Sequence, residues 1–263
     1  MVMNRILLRE KIEEEPFEVA EKQKIGVTGM SRGAGTSFAA ITLAKALSLD
    51  KTKRVTYLEI CGANFSNKPL IYDVLGMDKR FEGREFIRFY EEIKQGREIR
   101  RRRNLDERIN WALMAPEDLK KAVKLAPLEI VRLVSNISGD IIVCDIGDCD
   151  QKEEFLKDMD AILFVIDPMP SMLLAGFSSL QDAKRLEYRG KNVVWVLNKM
   201  NAGVNKRELQ DFIKVKNTIQ FPYIEPEKRY AAEYNCKIPY ELREIKAQLL
   251  EPMKKICQHI MIT

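Results

Sequence analysis

Histidine is almost absent from this chain: the 263 residues hold one, His259. The five cysteines, Cys61, Cys144, Cys149, Cys236 and Cys257, are an odd number, and no two form a Cys-x-x-Cys pair. A zinc centre is therefore not expected, and reduced thiols of a cytosolic protein fit best. No apolar run approaches the ~20 residues of a membrane span. The first residues lack the apolar region of a signal peptide and turn acidic at Glu13-Glu14-Glu15. Internal repeats and low-complexity linkers are missing too. A net charge of +5 permits an acidic partner without requiring one. These absences leave a cytoplasmic globular protein as the expectation.

Lysine is missing from one informative place. The stretch Lys24-Ile-Gly-Val-Thr-Gly-Met-Ser-Arg-Gly-Ala-Gly-Thr-Ser37 has the layout of a phosphate-binding loop. A short apolar strand, Ile25 to Val27, enters a glycine-rich turn, and a helical pattern follows from Thr36 to Leu49. Gly29, Gly33 and Gly35 let the backbone turn tightly and approach an anion. The N–H groups of the loop and of the helix start would face phosphate oxygens. An intact loop ends Gly-Lys-Ser/Thr; this one ends Gly35-Thr36-Ser37. Shape is kept and charge is changed, so binding and hydrolysis of a nucleotide are separate questions.

Elements alternate βα along the chain. Arg54 to Ile60 reads as a second strand, and Pro69 to Arg108 as a charged, helix-rich section with Phe81, Phe86, Ile87, Phe89, Tyr90 and Ile93 at helical spacings. Ile109 to Met114 reads as a short strand. Pro127 to Ile137 reads as a helix with Leu128, Val131, Leu133, Val134 and Ile137 on its apolar side. The near-continuous apolar runs Asp140 to Asp145, Ala161 to Asp167 and Asn192 to Asn198 read as parallel strands covered on both faces. Helices over 151–159 and 171–188 separate them. A strand near 218–221, a helix near 227–234 and a terminal helix from Tyr240 complete the pattern. The expectation is a doubly wound α/β fold with a mostly parallel sheet, one domain over 24–263 behind an N-terminal arm, 1–23.

Four segments line up in order with one family. Ser31-Arg-Gly-Ala-Gly-Thr-Ser37 resembles the Lys-Gly-Gly-x-Gly-Lys-Thr loop of the MinD/ParA group of P-loop ATPases. Ile141-Ile-Val-Cys-Asp145-Ile-Gly147 resembles their Walker B and switch II strand. Val194-Trp-Val-Leu-Asn198-Lys199 resembles their late strand, whose asparagine contacts adenine. Ile219-Gln-Phe-Pro222 with Tyr230-Ala-Ala-Glu233 resembles their closing signature. Within the group the chain looks most like CpaE/TadZ-type proteins, which position pilus-secretion machinery and also depart from the lysine-bearing loop. Their usual receiver-like domain does not fit in the two dozen residues before this loop.

The resemblance implies a Rossmann-like three-layer P-loop domain that binds ATP or ADP with Mg²⁺, a homodimer, and partner proteins of a localisation or secretion system. It places nucleotide contacts at Gly29, Ser31, Arg32, Gly33, Ala34, Gly35, Thr36, Ser37, Asn198 and Lys199, and Mg²⁺ at Ser37 and Asp145. The two family lysines fall on Ser31 and Thr36. A missing transition-state cation costs ~10³-fold or more in phosphoryl transfer. Arg32 is the cation left inside the loop, and reads equally as a substitute or as a solvated residue. Glu59 keeps one carboxylate of the family's acidic pair, while Cys61 replaces the other, and a neutral thiol is a poor Mg²⁺ ligand. Asn201 stands where guanine-reading proteins carry Asp, so adenine is preferred.

Three functions stay open: a nucleotide-binding regulator with little ATPase activity, a working ATPase using Arg32, and a scaffold without nucleotide. The arginines at 97, 100–103 and 108 are interrupted by Glu98, Asp106 and Glu107, which favours pairing with acids over nucleic acid. The apolar stripe Leu249, Leu250, Met253, Ile256, Cys257 and Ile260 suits a helix packed on the sheet better than a membrane surface.

Overall fold

Strands whose residues are apolar in unbroken runs have no solvent face, and the computed structural model places them at the middle of one sheet. It describes residues 22–60, 69–147 and 152–261. The strands are β1 (Gln23–Gly29), β2 (Val55–Ile60), β3 (Leu105–Asp106), β4 (Ile109–Ala112), β5 (Ile141–Ile146), β6 (Ala161–Ile166), β7 (Asn192–Met200) and β8 (Ile219–Pro222). Their order is β3-β4-β2-β5-β1-β6-β7-β8. Every neighbouring pair is parallel except β3 with β4. The chain winds from β1 to one side and later to the other, so the loop after β1 stands where strand order reverses.

Both faces of the sheet are covered, and the alternation along β6 and β7 shows it. Phe164, Ile166, Trp195 and Leu197 join a core with Met30, Leu173 and Leu180 on one side. Leu163, Val165, Val194 and Val196 join the larger core on the other. That larger core takes in α1 (Thr36–Leu47) and the Arg243–Ile260 helix. The terminal helix buries Ile245, Leu249, Met253, Ile256 and Ile260, so most of its apolar stripe packs into the core, while Leu250 of the expected stripe is exposed. No helix among the described residues is long and apolar enough to cross a membrane.

Several local expectations need correction. The 69–108 section holds only short helices, Ile71–Val74, Met77–Arg80 and Phe89–Lys94. Turns at Gly76, Gly83 and Gly96 break the run, and Phe81 and Phe86 meet edge-on at 5.1 Å as part of a cluster with Tyr72. The Pro127–Asn136 helix buries Ile130, Leu133 and Val134, whereas Leu128 and Val131 are exposed. Leu128 lies two residues from Ile130, which is the opposite side of a helix. The 171–188 helix is split into Pro170–Ala175 and Phe177–Tyr188. At the break, a Cβ on Gly176 would lie 2.4 Å from the Met30 carbonyl oxygen, so the helix pair presses directly on the glycine-rich loop after β1. The Lys206–Ile213 helix was not anticipated, although Asn205 caps it by accepting from the Glu208 N–H at 3.3 Å. The first strand starts at Gln23, inside the expected arm; residues 1–21 of that arm, and Cys61 and Cys149, lie outside the described residues.

Three arginines of the run, Arg97, Arg100 and Arg102, are internal bracing. Arg97 and Arg102 both pair with the buried Glu92, Arg100 donates to Asn136, and Asp106 pairs with Arg80. Glu107 and Arg108 form the two-residue turn between β3 and β4, both with positive φ, 48° and 67°.

Arg54 and Asp140 tie the start of β2 to the start of β5: Asp140 accepts from the Arg54 N–H at 2.9 Å and from its guanidinium. Those bonds hold the Asp140 carboxyl below its ordinary value, the Arg54 side chain being the largest cause. A depressed carboxylate stabilises the fold above its unfolded pKa and loses that contribution as pH falls through the folded value. Asp140→Asn is therefore expected to lower the melting temperature at neutral pH. The gap to wild type should close as pH drops below about 4; a gap that stays unchanged well below that pH would refute the linkage.

Candidate phosphate-binding site

The site begins where β1 runs out. The Met30 N–H still donates to the Val165 carbonyl of β6 at 2.8 Å, so strand pairing carries into the loop. The backbone then turns through Gly33 and Gly35, at φ 80° and 93°, a region that favours glycine. Space demands glycine at 35 as well: a Cβ there would sit 2.1 Å from Nδ2 of Asn198. Gly35 is also the N-cap of α1, and no side chain caps this end. The first-turn N–H groups of a helix have no partner within it, and here they meet a cavity of about 570 Å³.

Every loop residue from Gly29 to Ser37 except Ala34 lines that cavity. The Ser31 hydroxyl oxygen is buried without a hydrogen-bond partner among the described residues. Pro69, Ile71, Val74 and Leu75 form an apolar wall. Among the described residues, the charged groups on the lining are Arg32, Lys152, Arg229 and Lys237 against a single carboxylate, Glu233. An excess of cations beside a helix N-terminus selects an anion. Arg32 is exposed, on the loop itself. Lys152, Arg229 and Lys237 were not singled out from sequence, because no short motif links them to the loop.

Asn198 and Lys199 lie behind the loop and not on the cavity wall. Asn198, 5% exposed, donates from Nδ2 to the Ala34 carbonyl at 2.8 Å. Lys199 donates to the Gly33 carbonyl at 2.7 Å and to Asp167 Oδ2 at 2.6 Å. Asp167 is itself buried and accepts from the Met169 N–H at 3.0 Å. These residues set the shape of the loop, so in this arrangement the Asn198 amide holds backbone where a base contact was expected.

The expected acidic residues are neighbours in the sheet, Glu59 on β2 opposite Asp145 on β5. Asp145 is 4% exposed near the end of β5, in register with Val27, and accepts a 2.7 Å hydrogen bond from the Tyr57 hydroxyl. Its successors Ile146 and Gly147 reach the cavity lining, as does Ser37. The Glu59 Oε2 accepts from the Met114 N–H at 3.1 Å, just beyond β4, and Glu59 is not among the described lining residues. Neither Glu59, the one carboxylate expected from the family's acidic pair, nor Asp145 is on the described lining. No group of three or more His, Cys, Asp and Glu side chains suited to a metal occurs among the described residues.

No family model and no curated protein matches the sequence. Solved structures do match over nearly the whole chain. The ParA family ATPase of Chlorobium tepidum TLS is 15% identical, with a TM-score of 0.63 over 92% of this chain and 99% of its own. A plasmid partition protein of Borrelia burgdorferi B31, solved bound to AMPPNP, is 18% identical, with a TM-score of 0.66 over 90% of this chain and 99% of its own. The septum site-determining protein MinD of Pyrococcus horikoshii OT3, solved with Mg-ADP, is 14% identical, with a TM-score of 0.68 over 90% of this chain and 96% of its own. With a glycine-rich loop after the first strand and a mostly parallel sheet in this order, the chain has the α/β fold of the MinD and ParA P-loop ATPases.

Proposed function

We propose that this protein binds an adenine nucleotide, ATP or ADP with Mg²⁺, over the loop from Gly29 to Ser37, and acts as a nucleotide-dependent regulatory or localising protein with slow hydrolysis. The observation that carries this reading is the cavity itself: an open glycine-rich backbone at a helix start, faced by four cations and one carboxylate. The nucleotides bound by the Borrelia and Pyrococcus proteins support it. Ser37 offers a hydroxyl on the cavity lining and Asp145 a carboxylate held by Tyr57. That is a hard-oxygen set of the kind Mg²⁺ takes together with phosphate and water; Ser37 would hold the ion directly and Asp145 through water. The bound ion would neutralise charge on the phosphates.

Slow turnover follows from the same inventory. The loop carries no lysine, and Glu59 accepts from the Met114 N–H and is not on the described lining. The loop's one cation is the exposed Arg32, and the described lining holds no carboxylate from β2 or β5 to position water. The resemblance adds a homodimer and protein partners of a localisation or pilus-secretion system in the cytoplasm to this proposal.

Calorimetric titration with ATP and ADP, with and without Mg²⁺, tests the reading. Saturable binding of both is expected, tighter for ATP when Mg²⁺ is present, with phosphate release far below one turnover per second. Silence at millimolar nucleotide would sink the proposal and leave a scaffold that kept the fold for its surfaces.

A further inference from the structure

Within the nucleotide-binding reading, on which this inference rests, the structure makes up for the missing lysine from another element. Lys152 opens the Lys152–Lys157 helix that follows β5. Its Nζ donates to the carbonyl of Gly29, the first residue of the loop, at 2.9 Å, and stands 6.0 Å from the centre of the Phe164 ring. The side chain lines the cavity together with Thr36 and Ser37. Gly29 pairs with Val165 and Thr28 with Phe164, so both contacts of the ammonium belong to adjoining strand ends directly under the loop. We infer that Lys152 is the phosphate-binding cation of this site, reaching the terminal phosphates of the nucleotide from outside the loop.

The other cations are less suited to that place. Arg32 is on the exposed stretch of the loop beside Gly33, where water screens its charge. Arg229 and Lys237 are exposed, with Glu233 on the same part of the lining. Lys152 is half-buried against an aromatic face, and an ion pair made there is stronger than one in open solvent. An ammonium carries three N–H donors around one nitrogen, so a single side chain can hold the Gly29 carbonyl and a phosphate oxygen together. A loop lysine performs the same task by reaching back over its own backbone; here the span runs from the segment after Asp145 instead.

The test is ATP binding by calorimetry on wild type, Lys152→Met, Lys152→Arg and Arg32→Ala, with a melting scan of each protein without nucleotide. Loss of a charge-assisted contact predicts that Lys152→Met weakens ATP binding about 10- to 100-fold. The melting temperature should stay near wild type, and Lys152→Arg should recover most of the affinity. The Arg32→Ala variant should lose less than Lys152→Met. Wild-type affinity in Lys152→Met overturns the inference and leaves the nucleotide reading intact. Equal weakness in Lys152→Arg and Lys152→Met also overturns it, because affinity would then follow shape and not charge. No binding by wild type overturns both.

Discussion

Gly35→Ala is expected to lower ATP affinity at least tenfold and to destabilise the fold by about 2–4 kcal/mol, the sum of a left-handed torsion and a broken buried hydrogen bond. The torsion alone, at φ 93°, disfavours any side chain. The larger part comes from Asn198, whose Nδ2 would be 2.1 Å from the new methyl group. To make room, that amide has to leave the Ala34 carbonyl, which then sits buried without its donor. Gly33→Ala is the control: its φ is 80°, but a Cβ there meets nothing within 4 Å. It should cost about 1–2 kcal/mol, from torsion only. Urea unfolding of both variants measures the difference, and equal losses would show that Asn198 does not brace the loop.

Trp111→Ala is expected to cost about 3–5 kcal/mol, the range for emptying a large aromatic site in a core. Trp111 is fully buried on β4, and its ring lies 5.4 Å from that of Tyr57. Tyr57 in turn donates to Asp145. A hole beside Tyr57 loosens the group that orients the carboxylate proposed for Mg²⁺. The variant should therefore lose stability and, in addition, much of the gain in ATP affinity that Mg²⁺ provides. Trp111→Phe, which leaves a ring against Tyr57, should lose less of both. Chemical denaturation gives the first quantity and titration with and without Mg²⁺ the second. A fully Mg²⁺-responsive Trp111→Ala protein would remove Tyr57 from the argument.

The order of strands and helices was legible because burial on two sides writes itself into composition. β5, β6 and β7 are apolar at nearly every position, and no other arrangement of short segments tolerates that. The loop was legible for a related reason: left-handed turns and close approach leave glycine as the residue that fits, as at Gly35. What stayed hidden depends on contacts distant in sequence. Lys152 is separated from Gly29 by 123 positions, and nothing local in the chain marks their meeting. Asn198 was recognised, yet its donation to Ala34 appears only once β7 and the loop are placed side by side. Leu128 misled for a simpler reason: it is apolar in a helix whose buried side is already complete with Ile130, Leu133 and Val134.

The edges of the sheet carry a consequence of their own. A long bare strand edge is a template on which further chains can add. Among the described residues one edge is β3, a two-residue strand running against all the others and flanked by Arg103, Asn104, Glu107 and Arg108. The opposite edge, β8, spans four residues and ends in Pro222, which has no N–H to offer a newcomer. With short pairing ledges at both limits, one charged and one closed by proline, the molecule resists fibre-like growth through its sheet. Across the described surface, side-chain contacts are favoured over strand addition for any meeting of two copies.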